Sequence, residues 1–153
     1  MIYLQIDDPL AGLPPADLPD KPTLLRAAQA ALQTAGAGLA GEATLVLSDD
    51  ARLQELNRQF LDIDAPTDVL SFPDGEVDPD TNAVYLGDII ISLPRAAAQA
   101  AAGGHGLLDE LQLLVVHGML HLLGHDHAEE DEKARMWALQ AQTLERLGVS
   151  LRP

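Results

Sequence analysis

The chain contains no cysteine, only two lysines, and no more than 3% aromatic residues. The missing cysteine excludes a disulfide framework and any thiolate metal site, and it suits a reducing compartment. With so few aromatics, the core has to be built from Leu, Val, Ile and Ala. The shortage of cations says more. Nine Lys and Arg against 24 Asp and Glu leave a net charge of −15 and a pI near 4.3. Phosphate backbones are usually neutralised by Lys and Arg, so this balance opposes unaided binding of nucleic acid, unless the total hides a local basic cleft. It opposes binding to an anionic membrane surface equally. Long apolar runs are also absent. The most apolar window, GLLDELQLLVVHGMLHLLG, is broken by Asp109 and Glu110 and reads as a buried helix rather than a membrane span. The start, MIYLQIDDPL, has no basic segment followed by an apolar one, so no secretory signal is expected and the cytoplasm is the expected location.

What is present suits one folded unit. A chain of 153 residues, 47% hydrophobic, predicts a single domain over 1–153 with a proper core. Ile2, Leu4 and Ile6 alternate with polar neighbours, the period of a half-buried strand. A proline-rich loop, DPLAGLPPADLPDKP, leads to a helix over TLLRAAQAALQTA that stops in the glycines at 36, 38 and 41. EATLVLS reads as a second strand. Ser48 is expected to cap the next helix, with Asp49 and Asp50 in its first turn and Leu53, Leu56, Asn57 and Phe60 along one side. TDVLSF reads as a third strand closed by Pro73; the acidic loop DGEVDPDTNA follows, then a fourth strand, VYLGDIIIS. Ser92, Leu93 and Pro94 suit a helix start, and that helix runs to Gly103. LLDELQLLVVHGMLHLL is apolar nearly all round and predicts a central buried helix; AEEDEKARMWALQAQTLERL begins acidic and ends at Gly148. The expectation is an α+β domain: a mixed sheet of about four strands, packed with about five helices, and a metal site at the end of the central helix.

The metal site rests on HGMLHLLGHDH, which places four of the five histidines within residues 117–127. His117 and His121 are four apart, so on a helix both imidazoles project from one face, about 6 Å apart along the axis. Gly124 tolerates the positive φ needed to turn the chain back, and His127 follows it in place for a third ligand. Three neutral imidazoles leave a fourth tetrahedral position open, as in catalytic zinc sites, and zinc brings the pKa of a bound water to roughly 7. His125 is read as an exposed side chain, a hydrogen-bond donor behind the ligands or a proton carrier, and His105, in GGHG, as a solvated loop residue. The spacing follows the metzincin pattern H-E-x-x-H-x-x-G-x-x-H, but Gly118 stands where those proteases keep the glutamate that serves as general base. Peptide hydrolysis is therefore a poor fit.

Three blocks in order, LNRQFLDIDAPTDVLSFP (56–73), YLGDIIIS (85–92) and VVHGMLHLLGHDH (115–127), resemble the YbeY family of endoribonucleases, the bacterial rRNA maturation factors. The resemblance implies a metal-dependent, single-strand-specific endoribonuclease acting in 16S rRNA 3′-end processing and ribosome quality control. It implies metal ligation by His117, His121 and His127, one Zn2+ per chain, and contact between Asp88 and a protein of the small ribosomal subunit. Asp88 equally fits a strand bulge with a backbone hydrogen bond. One position departs from the family pattern: where an arginine usually faces the metal cleft, this chain has Leu61. Arginine there grips phosphate bidentately, which leucine cannot do. Arg58, about one helical turn earlier, is the candidate substitute, and Asp68, Asp126 and His125 are candidate proton acceptors. Recruitment by a ribosomal protein or an assembly GTPase would supply the missing RNA affinity. The competing expectations are a non-catalytic ribosome-assembly factor whose metal is structural, and a metallohydrolase of another substrate.

Overall fold

The computed structural model describes residues 1–151. It contains a four-stranded sheet and five α-helices. The strands are β1 (Ile2–Ile6), β2 (Gly41–Ser48), β3 (Val69–Val77) and β4 (Val84–Ser92); the helices are α1 (Lys21–Ala35), α2 (Asp50–Leu61), α3 (Leu93–Gly103), α4 (Leu107–Leu122) and α5 (Glu130–Leu147). The order across the sheet is β1-β2-β4-β3, with β1–β2 and β2–β4 parallel and β3–β4 antiparallel. The expected mixed sheet and five helices are all present.

The two faces of the sheet are covered unequally. Ala43, Leu45, Leu47, Ile89 and Ile91 pack with Leu24, Ala27, Ala28 and Ala31 of α1 and with Leu111, Val115, Met119 and Leu120 of α4 in the main core. On α1 these residues recur at the spacing of one helix face, and alanines allow close approach to the neighbouring helices. The opposite face carries a smaller cluster of Leu53 and Leu56 from α2 with Leu70 and Ile90. β2 and β4, covered on both faces, therefore carry continuous apolar runs at Leu45–Leu47 and Ile89–Ile91, whereas β1 at the edge keeps strict alternation.

Several local expectations are corrected. Ser48 does not cap α2: it ends β2, fully buried, and donates to Asp7 Oδ2 at 2.7 Å. Asp49 is the cap, its Oδ1 accepting from Arg52 N at 2.9 Å. β3 does not stop at Pro73 but runs on to Val77, with an irregular register between Pro73 and Glu76. Proline is tolerated because β3 lies at the sheet edge, where a missing N–H need not break a ladder. Gly41 opens β2 instead of ending α1, which stops at Gly36. Phe60 is 63% exposed, because α2 reaches past its small cluster; its ring meets Phe72 edge-on at 5.3 Å.

Two glycines set how closely the elements approach. In β4, Gly87 has φ +137°, and a Cβ there would lie 2.1 Å from the Phe72 carbonyl oxygen of β3. In α4, Gly118 packs against β4 so tightly that a Cβ would lie 2.8 Å from Ile89 Cγ2. Ser71 Oγ of β3 donates to the Gly118 carbonyl at 3.2 Å. Together these contacts hold the C-terminal half of α4 down on the sheet.

Candidate metal centre

The last two turns of α4 carry His117 and His121, and the apolar residues around them fix the helix in the core. Gly124, at φ +94°, turns the chain back, with its N–H donated to the His121 carbonyl at 3.0 Å and that of His125 to the Leu120 carbonyl at 2.9 Å. Asp126 Oδ1 then accepts the His127 backbone N–H at 2.7 Å. The result is the expected convergence. One ring nitrogen from each of His117, His121 and His127 lies within 4.8 Å of the others. The Nε2 atoms of His117 and His121 are 3.1 Å apart, and the rings of His121 and His127 lie 5.2 Å apart. Two nitrogens bound to one metal at about 2.0–2.1 Å in tetrahedral geometry sit roughly 3.3 Å from each other, so the pair is almost in place. His127, exposed on the turn, is free to close the set.

The donor chemistry also fits a cation. Burial holds the His117 imidazole below its ordinary value, with the neighbouring His127 acting the same way and a bond to Gln140 opposing. Burial and the charges of His117 and His127 lower His121 likewise. Both rings are thus neutral near pH 7 and offer lone pairs. The sign of the pH dependence follows. A depressed folded value means that the unfolded chain takes up protons first, from about pH 6.5 downward. The contribution of these two rings is intact above about pH 6.5 and is lost as pH falls through their lowered folded values. The urea midpoint of metal-free protein is therefore expected to fall between pH 7.5 and 5.5, and metal affinity to fall in the same direction. A midpoint that stays flat over that window would contradict the assignment.

The three imidazoles open on a cleft of about 530 Å3, whose walls include Leu61, Thr67, Asp68, Ser71, Pro73 and Asp126. Leu61, at the end of α2, is 54% exposed and does face the cleft. Arg58 is exposed on α2 and does not line it, and no Lys or Arg does among the described residues. His125 and Asp126 both line it; of the three histidines 117, 121 and 125, only the first two join the cluster. Asp88 lies elsewhere, opposite Phe72 on the α2 side of the sheet, and accepts the Tyr85 hydroxyl rather than a backbone N–H.

Behind the cleft is a polar chain that sequence reasoning missed. Asp68 accepts its neighbour's Val69 N–H at 2.8 Å through Oδ1. The Gln99 amide of α3 faces two carboxylate oxygens, Asp68 Oδ2 at 3.2 Å and Glu110 Oε1 at 3.1 Å; only its nitrogen can donate to both, so the amide is assigned with the nitrogen on that side, bridging the two carboxylates. Glu110, only 6% exposed, meets His105 Nε2 at 3.2 Å through its other oxygen. His105 is therefore a partly buried partner of α4 and not a solvated loop residue, because it satisfies a carboxylate that the helix buries. Gln140 of α5, bonded to His117, was missed as well. Its one sequence signal is a polar residue at the helical spacing of Met136 and Leu144, on the face of α5 that is buried.

The family model described as Endoribonuclease YbeY matches residues 20–148. The protein named Endoribonuclease YbeY from Pelotomaculum thermopropionicum is 43% identical over 148 residues, covering 95% of this chain and 91% of its own length. The one from Moorella thermoacetica is 49% identical over 148 residues, covering 90% and 94%. Among solved structures, the solution structure of TM1509 from Thermotoga maritima superposes with a TM-score of 0.61 at 25% identity, covering 96% of this chain and 89% of that one. No helix among the described residues is long and apolar enough to cross a membrane.

Proposed function

The chain belongs to the YbeY endoribonuclease family, and from that premise we propose that it is a zinc-dependent, single-strand-specific endoribonuclease acting in 16S rRNA 3′-end maturation and ribosome quality control. The observation that carries the reading is the cluster of three imidazoles opening on a cleft. His117, His121 and His127 would hold one metal ion, with zinc favoured by an all-imidazole donor set that leaves a position open. When bound, such an ion supplies a Lewis acid for the phosphodiester and acidifies a water for use near neutral pH. The residues of this chain do the rest. Asp126 and Asp68 line the cleft as carboxylates able to take a proton; Asp68 is held by the bond from Gln99. Arg58, exposed beside the cleft-lining segment, is assigned a phosphate contact outside the cleft.

The whole chain, 1–153, is read as one such catalytic domain, working in the cytoplasm. With a net charge of −15 and no cation lining the cleft among the described residues, RNA affinity has to come largely from partners. We assign that role to the small ribosomal subunit, through a ribosomal protein near Asp88 and an assembly GTPase. The same lack of cations favours a second reading, a non-catalytic assembly factor whose metal is structural. Metal analysis of purified protein, paired with cleavage of a single-stranded rRNA fragment, separates the two. Cleavage is expected to require stoichiometric zinc and to vanish with a chelator. A full complement of zinc with no cleavage, even with ribosomes present, would overturn the nuclease reading. In the same assay Leu61→Arg is expected to raise cleavage about tenfold, since a charge-assisted bond to phosphate contributes roughly 1.5–3 kcal/mol. An unchanged rate would show that the leucine is not what limits activity.

A further inference from the structure

Gln140 is not one of the three ligands, yet it touches one of them. It sits on α5, 1% exposed, with Oε1 3.0 Å from Nδ1 of His117. A carbonyl oxygen only accepts, so Nδ1 has to carry the proton. A neutral imidazole has one N–H, which leaves the lone pair on Nε2. Nε2 is also the atom that faces His121 Nε2 at 3.1 Å. We propose that Gln140 is the positioning residue that locks His117 in its Nδ1–H tautomer and so prepares Nε2 to bind the metal; this rests on the metal-site reading above.

Two further facts support the assignment. A glutamine buried among Met136 and Leu144 is costly unless its polar atoms are bonded, and His117 is the partner that its oxygen has. Metal-bound histidines generally donate their second N–H to a neighbouring acceptor that fixes the ring, commonly a carboxylate or backbone carbonyl. Here the acceptor is a neutral side-chain amide, which orients the ring without adding charge. Trp137, three residues earlier on α5, lies 5.9 Å from the His117 ring and 5.7 Å from the His127 ring. α5 thus walls the site with the chain's single tryptophan, which makes metal uptake observable without RNA.

Two variants test the proposal. Gln140→Met keeps the length and removes the acceptor; Gln140→Glu keeps an acceptor in place. Metal-free wild type and both variants are titrated with Zn2+ against a chelator of known affinity, followed by Trp137 fluorescence. Ring-nitrogen NMR of the metal-free wild type reads the tautomer directly. Zinc affinity is expected to fall about 10- to 100-fold in Gln140→Met, the usual effect of losing such a partner, and to hold in Gln140→Glu. His117 of the wild type is expected to carry its proton on Nδ1. Equal affinity in Gln140→Met and wild type, or an Nε2–H tautomer in wild type, overturns the proposal. The NMR measurement decides even where a variant fails to fold. A wild type that takes up no zinc overturns the metal reading itself.

Discussion

His121→Ala is expected to strip the metal from the protein and to lower cleavage of single-stranded RNA by at least about a thousandfold, leaving a folded chain. The size follows from what is lost: without the cation the attacking group has to be generated from water or a ribose hydroxyl far above neutral pKa, where zinc would bring it to roughly 7. Folding should survive because His121 is half-buried at the end of α4 and its neighbours Leu120 and Leu122 keep the helix docked. A stability change of about 1 kcal/mol is ordinary for such a site. Circular dichroism, zinc content and cleavage are measured on one preparation. If the variant unfolds, the structural-metal reading gains; if it stays folded and cleaves like wild type, the cluster is not the reaction centre.

The largest stability loss is expected at Gly87→Ala. Its φ of +137° is one that side chains rarely adopt, and the new Cβ would sit 2.1 Å from a backbone oxygen of β3 and 3.0 Å from Leu122 Cδ2 of α4. Strain of this kind costs about 1–3 kcal/mol, and overpacking adds about 1–3 more. Roughly 2–6 kcal/mol is a large part of the 5–15 kcal/mol that holds a typical domain together. Urea unfolding should show a midpoint far below wild type with a similar slope. Because β3 forms one wall of the cleft, metal affinity should drop with it. A wild-type midpoint would mean that β3 and β4 separate there at little cost.

The cluster of three histidines was legible because helical periodicity turns a four-residue spacing into a shared face, and a glycine turn returns the chain to that face. His117, His121 and His127 needed no tertiary information. The strands and helices were legible for the same reason: their burial patterns are periodic. What could not be read depends on which element ends up at an edge or against a neighbour. Pro73 argues against a continuing strand unless β3 is known to be the edge strand. Ser48 and Asp49 are both good caps, and only the bond from Ser48 to Asp7 of a distant loop removes the first. His105 and Glu110 are five apart across a helix start, a spacing without a local rule. Gln140 is 23 residues from His117, and only the packing of α5 on α4 brings them together.

Gly118 has a consequence for how this protein can change. The face of α4 at that position is pressed on Ile89 of β4, where even a methyl group lacks room. Installing the protease glutamate would not place a base beside the histidines; it would wedge the helix off the sheet and carry His117 and His121 with it. A likeness in spacing that looks one codon away from peptide hydrolysis is therefore separated from it by a rebuilt helix–sheet interface. The lip of the cleft at Leu61 has space for a different side chain, whereas the floor beneath the histidines at Gly118 has none.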